Sequence, residues 1–457
     1  MITPLEARIL DRNSECLGIS LETLMENAGR ELAQAVDAFG MGRILFVCGS
    51  GNNGGDGYAA SKYLTVDADY TAFRTPKSRL CKKMAEGVDT VPYSDELLSE
   101  YDTVVDCVLG TGVEGKLNDE YVGYIDGLNR ACKNVIACDI PTGLGTGKNV
   151  LANVTVTFHD AKTLSLDSAC GMVLISDIGI PKEASTYVNK GDFLRYPIPK
   201  EDSHKGQNGR LVIVGGGAFV GAPALAAMGA LGVGTDLVTI LSPRNTFVPI
   251  ASLSPSYIVK QLNNDILRIS DKGMISDECK KADALLIGPG LGRDPDTVDT
   301  IRCIVNEVDI PVIIDADAII AVAGSVPDKE IIFTPHRREL SALIGKDDPS
   351  EDDVRGFCTK GITVLCKGKE DVIISRYDTR RNRSGCSGMT VGGTGDVLSG
   401  TVAGLVAKGM SGFDAACLGA HICGKAGEIA FGDRSYGMTA SDVADRITSA
   451  LKEGLDD

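Results

Sequence analysis

Short runs of apolar residues, separated by segments of helix length, recur along the whole chain. They fall at 43–48 (RILFVC), 101–105, 134–138, 210–214, 284–287, 312–314, 331–333 and 363–366, and each is rich in Val, Ile and Leu. A run this short, with hardly a polar position inside it, predicts a strand covered on both faces, as in a parallel sheet. Helical stretches are predicted at 21–39, from Asp56 through Tyr63, at 224–231 and at 397–408. Repeated strand–loop–helix units imply an α/β architecture. The series is interrupted once, over 187–209, where Pro197, Pro199, a mixed charge cluster and the sequence KGQNG lie together. A fresh α/β series stands on either side, so two domains are expected, at 1–200 and 206–457.

Polar residues follow the last apolar position of many of these runs: Asn52, Asn53, Asp106, Asp139, Asp315, His336 and Lys367. In open parallel sheets ligands bind beyond the carboxyl ends of the strands, so this set reads as functional. Composition narrows the ligand. A net charge of −16 and the absence of tryptophan disfavour nucleic acid and anionic membranes as partners. No apolar run reaches the roughly 18 residues of a membrane span. The 14 cysteines show no CxxC pair or zinc spacing, and many sit in apolar runs as small hydrophobes. With no signal peptide evident, a reducing cytoplasm is expected, and a homo-oligomer acting on small molecules.

Two glycine-rich loops carry the chemistry. GSGNNGGDG begins at Gly49 and GGTGD ends at Asp396, each between a predicted strand and a predicted helix. Glycines let the backbone approach an anion, and a helix N-terminus supplies free N–H groups. The closing aspartate adds a base or an oxygen ligand, although Asp56 can equally be a plain cap of its helix. Asp106 precedes a further loop, GTG at Gly110, and Asp139 opens DIPTG. Asn53, Asp106 and Thr142 together offer amide, carboxylate and hydroxyl oxygens, a set suited to a hard cation. In the second half, backbone N–H groups of Gly393 to Gly395 can converge on a phosphoryl group while Asp396 takes a hydroxyl proton. The loop lacks the GK[ST] ending of a Walker A motif.

The series MENAG, GNNGGDG, GTG, DIPTG and VTFH-x2-K resembles the epimerase domain of NAD(P)H-hydrate repair proteins, over nearly all of the first half. The series GGG, GAP, GPGLG, TPH-x2-EL, KG and GGTGDVLSG is similar to the ribokinase-like dehydratase of the same pathway, over most of the second. The resemblance implies a Rossmann-like three-layer domain followed by a ribokinase-like three-layer domain. It further implies an enzyme that interconverts R and S hydrates and dehydrates the S form with ADP, giving NAD(P)H, AMP and phosphate. Carried over residue by residue, the hydrated dinucleotide falls to Asn52, Asn53, Gly54, Gly55 and Asp56, to Gly110, Thr111, Gly112, Val113, Glu114, Gly115 and Lys116, and to Asp139. Asn53, Asp106 and Thr142 fall to a potassium ion, with Thr142 keeping the hydroxyl of the family's usual serine. In the second half Ala222, Gly290, His336 and Asp396 match hydrate-binding positions. Lys367, Gly368, Lys369, Glu370, Asp371 and Gly395 match contacts to the adenine nucleotide. KGKED and SGM stand where the family has KGAGT-like and NPGM segments. Phosphoryl transfer also calls for Mg²⁺, for which no dedicated ligand is evident.

Asp139 and Asp396 are the expected catalytic residues. For Asp139 two roles stay open, proton exchange with the labile hydroxyl or orientation of the substrate without it. The alternative for the whole chain is a ribokinase-like small-molecule kinase fused to a non-catalytic dinucleotide-binding or scaffold domain.

Overall fold

The computed structural model describes residues 1–113, 115–131, 134–324, 326–359 and 361–456. Their contacts divide them into two compact units, Met1–Ala184 and Ser185–Asp457. The first unit therefore ends before the expected limit at residue 200. Burial explains the difference: Val188 and Phe193 belong to the second unit's core, and Asp192 ion-pairs with Arg380 at 3.1 Å.

In the first unit the strands are β1 (Ile44–Cys48), β2 (Asp69–Ala72), β3 (Thr103–Cys107), β4 (Asn134–Cys138), β5 (Val154–Phe158) and β6 (Met172–Ser176). They pair in the order β2-β1-β3-β4-β5-β6, every neighbour parallel. All residues of β1, β3, β4 and β5 are buried. Along β1, Ile44, Phe46 and Cys48 enter one apolar cluster while Leu45 and Val47 enter another, which is the signature of a sheet covered on both faces. The helix Leu21–Phe39 packs on one of those faces through Leu24, Leu32 and Val36.

In the second unit the strands are β7 (Arg210–Val214), β8 (Leu237–Ser242), β9 (Ile258–Gln261), β10 (Ala284–Ile287), β11 (Val312–Ile314), β12 (Ile331–Phe333), β13 (Ile362–Cys366), β14 (Asp371–Ile374) and β15 (Thr379–Asn382). Their order is β15-β14-β13-β12-β11-β10-β7-β8-β9, parallel except for the two pairings of β14. Leu211 and Ile213 join one core and Val212 and Val214 the other, so this unit too is three-layered. The expected strand segments are all present. β2, β5, β6, β8, β9, β14 and β15 were not predicted, several of them being short edge strands with polar residues.

Two helices that flank the second site, Gly221–Gly232 and Thr394–Ala407, touch through small residues. A Cβ at Gly400 would collide with the Ala226 carbonyl oxygen, and one at Gly229 with the Val397 carbonyl oxygen. Among the described residues the cysteines are all free thiols, and no helix is long and apolar enough to cross a membrane.

Gly400→Ala is expected to cost about 1–3 kcal/mol through overpacking against main chain that cannot retreat. A thermal midpoint lower by several degrees, read by circular dichroism, is the outcome that checks it.

Candidate active sites

The first glycine loop is shaped by contacts that only glycine permits. A Cβ at Gly49 would strike the Val108 carbonyl oxygen, and one at Gly54 the carbonyl of Gly49. The helix starts inside the loop, spanning Asn52–Ala60 with Gly51 as its cap. Asp56 thus stands in the second turn and is not the cap of its helix. Gly54 and Gly55 are buried behind the loop, where Gly55 lies against Met25.

A cavity of about 480 Å³ opens here. Of the expected dinucleotide set, Asn52, Asn53, Asp56, Gly110, Thr111, Gly112, Val113 and Asp139 line it, and Gly54, Gly55, Gly115 and Lys116 do not. Glu114 lies outside the described residues. Of the lining residues with no role assigned from sequence, Arg8, Asp11, His159 and Lys162 carry ionisable side chains. Lys162 had been noticed only as part of VTFH-x2-K, and Asp11 carries no motif at all.

Asp139 and His159 follow β4 and β5, and both adopt left-handed backbone conformations, with φ of 64° and 68°. Such conformations cost non-glycine residues of order 1–3 kcal/mol and gather at functional sites. The Asp139 N–H donates to the Val156 carbonyl at 2.8 Å, and its carboxylate meets the Lys162 ammonium at 3.0 Å. Lys162 is only 3% exposed and also donates to the Phe158 carbonyl at 2.8 Å. Around this pair, burial and then the Asp139 charge raise Asp11 to about 6, and the same causes push Asp56 well above the usual carboxyl range. Burial lowers His159.

Asn53, Asp106 and Thr142 come together through one segment, residues 108–110. Thr142 donates its hydroxyl to Asp106 Oδ1 at 2.7 Å and its N–H to Oδ2 at 2.8 Å; the Tyr124 hydroxyl adds a bond of 2.9 Å. The Val108 N–H reaches Asp106 Oδ1 and the Leu109 N–H reaches Thr142 Oγ1. At Gly110 an added Cβ would stand 2.9 Å from Asn53 Oδ1. Asp106 is fully buried, burial raises its pKa despite these bonds, and no side-chain cation pairs with it among the described residues. Asn53 Nδ2 is buried without a partner. An uncompensated carboxylate beside an amide and a hydroxyl fits a hard cation.

In the second unit a cavity of about 420 Å³ is lined by Phe219, Ala222, Gly290, Ala316, Gly392, Gly393 and Asp396, among others. Ala222, Gly290 and Asp396, far apart in sequence, are thus brought together at one cavity. Gly393, with φ of 99°, caps the helix Thr394–Ala407 without a side-chain bond, leaving N–H groups of the first turn open, and Asp396 is its third residue. Ala316, at φ 52°, is a further left-handed non-glycine residue at a strand end.

Beside Asp396 lies an ion pair between a largely covered lysine and a buried aspartate. Lys367 Nζ meets Asp315 Oδ1 at 3.0 Å, and the Thr334 hydroxyl donates to the same oxygen at 2.7 Å. A Cβ on Gly395 would sit 3.3 Å from Lys367 Nζ, so the lysine reaches the start of the aspartate's helix. Burial works against the Lys367 ammonium, but Asp315, Glu339 and Asp396 together hold its pKa above the ordinary value. Burial, then the charge of Asp315, raise Asp396 to about 7, with Lys367 opposing.

The remaining predicted residues do not line this cavity. Gly368 and Lys369 are exposed; Asp371 is engaged by the Gly368 N–H and by Asn382, and Glu370 by Arg381. His336 caps the helix Arg337–Ile344: Nδ1 accepts from the Arg338 and Glu339 N–H groups, and Nε2 lies 3.0 Å from Glu339.

The chain is similar to known proteins over its whole length. Residues 211–449 match the family model described as NAD(P)H-hydrate dehydratase, and residues 21–164 match the YjeF-related protein N-terminus. It is 37% identical to the bifunctional NAD(P)H-hydrate repair enzyme of Methanothermobacter thermautotrophicus, over 100% of this chain and 96% of that one. Identity to the enzyme of the same description from Archaeoglobus fulgidus is 35%, over 98% of each chain. Among solved structures, an ADP/ATP-dependent NAD(P)H-hydrate dehydratase from Bacillus subtilis, co-crystallized with ATP/Mg²⁺, matches 59% of this chain and 99% of its own at 22% identity and a TM-score of 0.50. That likeness bears on the fold and agrees with the ribokinase-like expectation.

His336→Ala is expected to lose about 0.5–2 kcal/mol with its cap, whereas His336→Asn keeps the cap and the stability. A normal melting curve for His336→Asn together with lost turnover would assign the ring a ligand contact as well.

Proposed function

The chain belongs to the family of bifunctional NAD(P)H-hydrate repair enzymes, and on that premise we propose that its first unit interconverts the R and S hydrates of NADH or NADPH while its second dehydrates the S form with ADP. The observation that carries the reading is the placement of Asp396: a half-buried carboxyl in the first turn of a helix with open N–H groups, beside the Lys367–Asp315 pair. Asp396 takes the hydrate's hydroxyl proton, and the oxygen attacks the β-phosphorus of ADP as the bond to AMP breaks. Phosphate then leaves the carbon with its C–O electrons. A proton lost from the adjacent carbon restores the ring double bond. The helix N–H groups meet the negative charge that develops on the transferring group. Lys367, held charged by its carboxylate neighbours, adds a cation at the same point.

Mg²⁺ belongs to this reading as a companion of the nucleotide phosphates, consistent with the ATP/Mg²⁺ of the Bacillus subtilis relative. No three His, Cys, Asp or Glu residues cluster for a metal among the described residues. In the first unit Asn53, Asp106 and Thr142 would hold potassium, whose charge offsets the buried Asp106. Asp139, ion-paired with Lys162, faces the hydrate there as its acid–base group.

The test is to mix the protein with racemic NADH hydrate, ADP and Mg²⁺ and follow NADH by absorbance. Recovery of nearly all hydrate, against a slow blank, is expected. A stop near half would remove the epimerase reading alone. No recovery with ADP or ATP would remove the repair reading and favour a small-molecule kinase.

A pH dependence follows from Asp396. The base form dominates above about 7, so kcat/KM for the S hydrate should rise as pH climbs through that value and then level. Asp396→Asn should abolish turnover. Because the raised pKa makes the buried carboxylate a cost to folding above the unfolded value, that variant should also melt higher than the parent at pH 8, and the gap should shrink toward pH 5.

A further inference from the structure

Resting on the reading that the first cavity epimerises a nicotinamide hydrate, we propose that Asp11 is a second acid–base carboxyl of that reaction, sharing one exchangeable proton with Asp139 through the bound hydrate. Asp11 occupies the middle of the N-terminal helix Pro4–Cys16, where aspartate is a poor helix former and has no capping use. Among the described residues no hydrogen bond or ion pair engages its carboxyl. The same side chain lines the cavity together with Asp139, Asp56 and Lys162. A half-buried carboxyl with no structural partner, lining the same cavity as a salt-bridged aspartate, is placed for chemistry.

The groups facing Asp11 are Asp139 from the end of β4, Lys162 and His159 from the segment after β5, Asp56 from the glycine-loop helix, and Arg8 and Glu15 from its own helix. The helix Leu21–Phe39 contributes only apolar side chains, Leu21, Leu24, Met25 and Ala28. One buried ammonium among three carboxyls leaves Asp139 as the paired carboxylate. Asp11, near 6, exchanges its proton close to neutrality, whereas burial pushes Asp56 well above the usual carboxyl range.

The hydrate carries its hydroxyl on the carbon next to the ring nitrogen. Asp11 gives its proton to that oxygen, the C–O bond breaks with both electrons leaving on water, and the nitrogen lone pair forms C=N. Water returns to the opposite face, its oxygen forms the new C–O bond, the C=N electrons go back to nitrogen, and Asp139 takes the released proton. The reverse direction starts from protonated Asp139, so the pair serves both epimers with one proton.

The experiment uses the full chain with R hydrate and no nucleotide, following the S epimer by chromatography across pH. In the parent, kcat/KM should fall as pH climbs through about 6. Asp11→Asn should lower epimerisation about 100-fold or more, with KM little changed, and abolish that limb. Dehydration of S hydrate with ADP serves as the internal control and should be unaffected. Asp11→Glu should restore part of the rate with the limb moved. Retention of the parent's rate and limb in Asp11→Asn, or a change in KM alone, would overturn the proposal and leave Asp11 as pocket wall. If Asp11→Asn does not fold, an unmoved limb in Asp11→Glu overturns it instead. A parent that does not epimerise at all overturns the reading of the cavity, and the proposal with it.

Discussion

Both sheets are covered on both faces, and this constraint decides where chemistry can occur. In the first unit β1, β3, β4 and β5 are buried at every position, and in the second β10, β11 and β12 are too. Little room is left for a charged side chain along such a strand, since burying one without a partner costs several kcal/mol. Apart from Asp106 inside β3, charged side chains are therefore displaced to the strand ends, where the backbone must also turn sharply. Left-handed Asp139, His159 and Ala316 stand at three such ends, and in the first loop Gly49 and Gly54 occur where the main chain passes too close for a Cβ. The cavities are consequences of that geometry.

The two sites solve their electrostatics in the same way. Each places one lysine among several carboxyl groups: buried Lys162 with Asp139, Asp11 and Asp56, and the largely covered Lys367 with Asp315, Asp396 and Glu339. A single cation can neutralise one carboxylate; the others are left in a medium that disfavours their charge. Asp11 rises to about 6 and Asp396 to about 7, values at which a carboxyl can both give and take a proton near neutrality. The lysine is thus a positioning residue as much as a charge, because it fixes one aspartate by an ion pair, Asp139 in the first site and Asp315 in the second.

Much of this was legible in the chain. Strands such as 44–48 and 284–287 announce themselves because double-sided burial makes every residue apolar. Asp106, Asp139 and Asp396 were legible because they follow such runs or close a glycine loop. Other features were not, for physical reasons. The helix Asn52–Ala60 begins in a run that local propensity disfavours, and it forms because its glycines let Met25, Cys48 and Cys107 pack against its backbone. β15 (TRRN) is polar because it is an edge strand, so it lacks the apolar signature. His336 looks like a ligand in sequence and caps a helix in the structure, a job its motif does not reveal.

Asp11 shows the limit most clearly. On the sequence it is one acidic residue in PLEARILDRNSEC, a segment with ordinary surface composition. Nothing local distinguishes it from Glu15 four residues later. What separates them is tertiary: the N-terminal helix turns Asp11 toward the ends of β4 and β5, while Glu15 remains exposed. A residue acquires chemistry here from the field of groups that are distant in sequence, namely Asp139, Lys162 and Asp56. Motifs record loops whose backbone must take one shape. A carboxyl that only needs to be near other carboxyls leaves no such trace, and its role becomes readable once the sheet has gathered its neighbours.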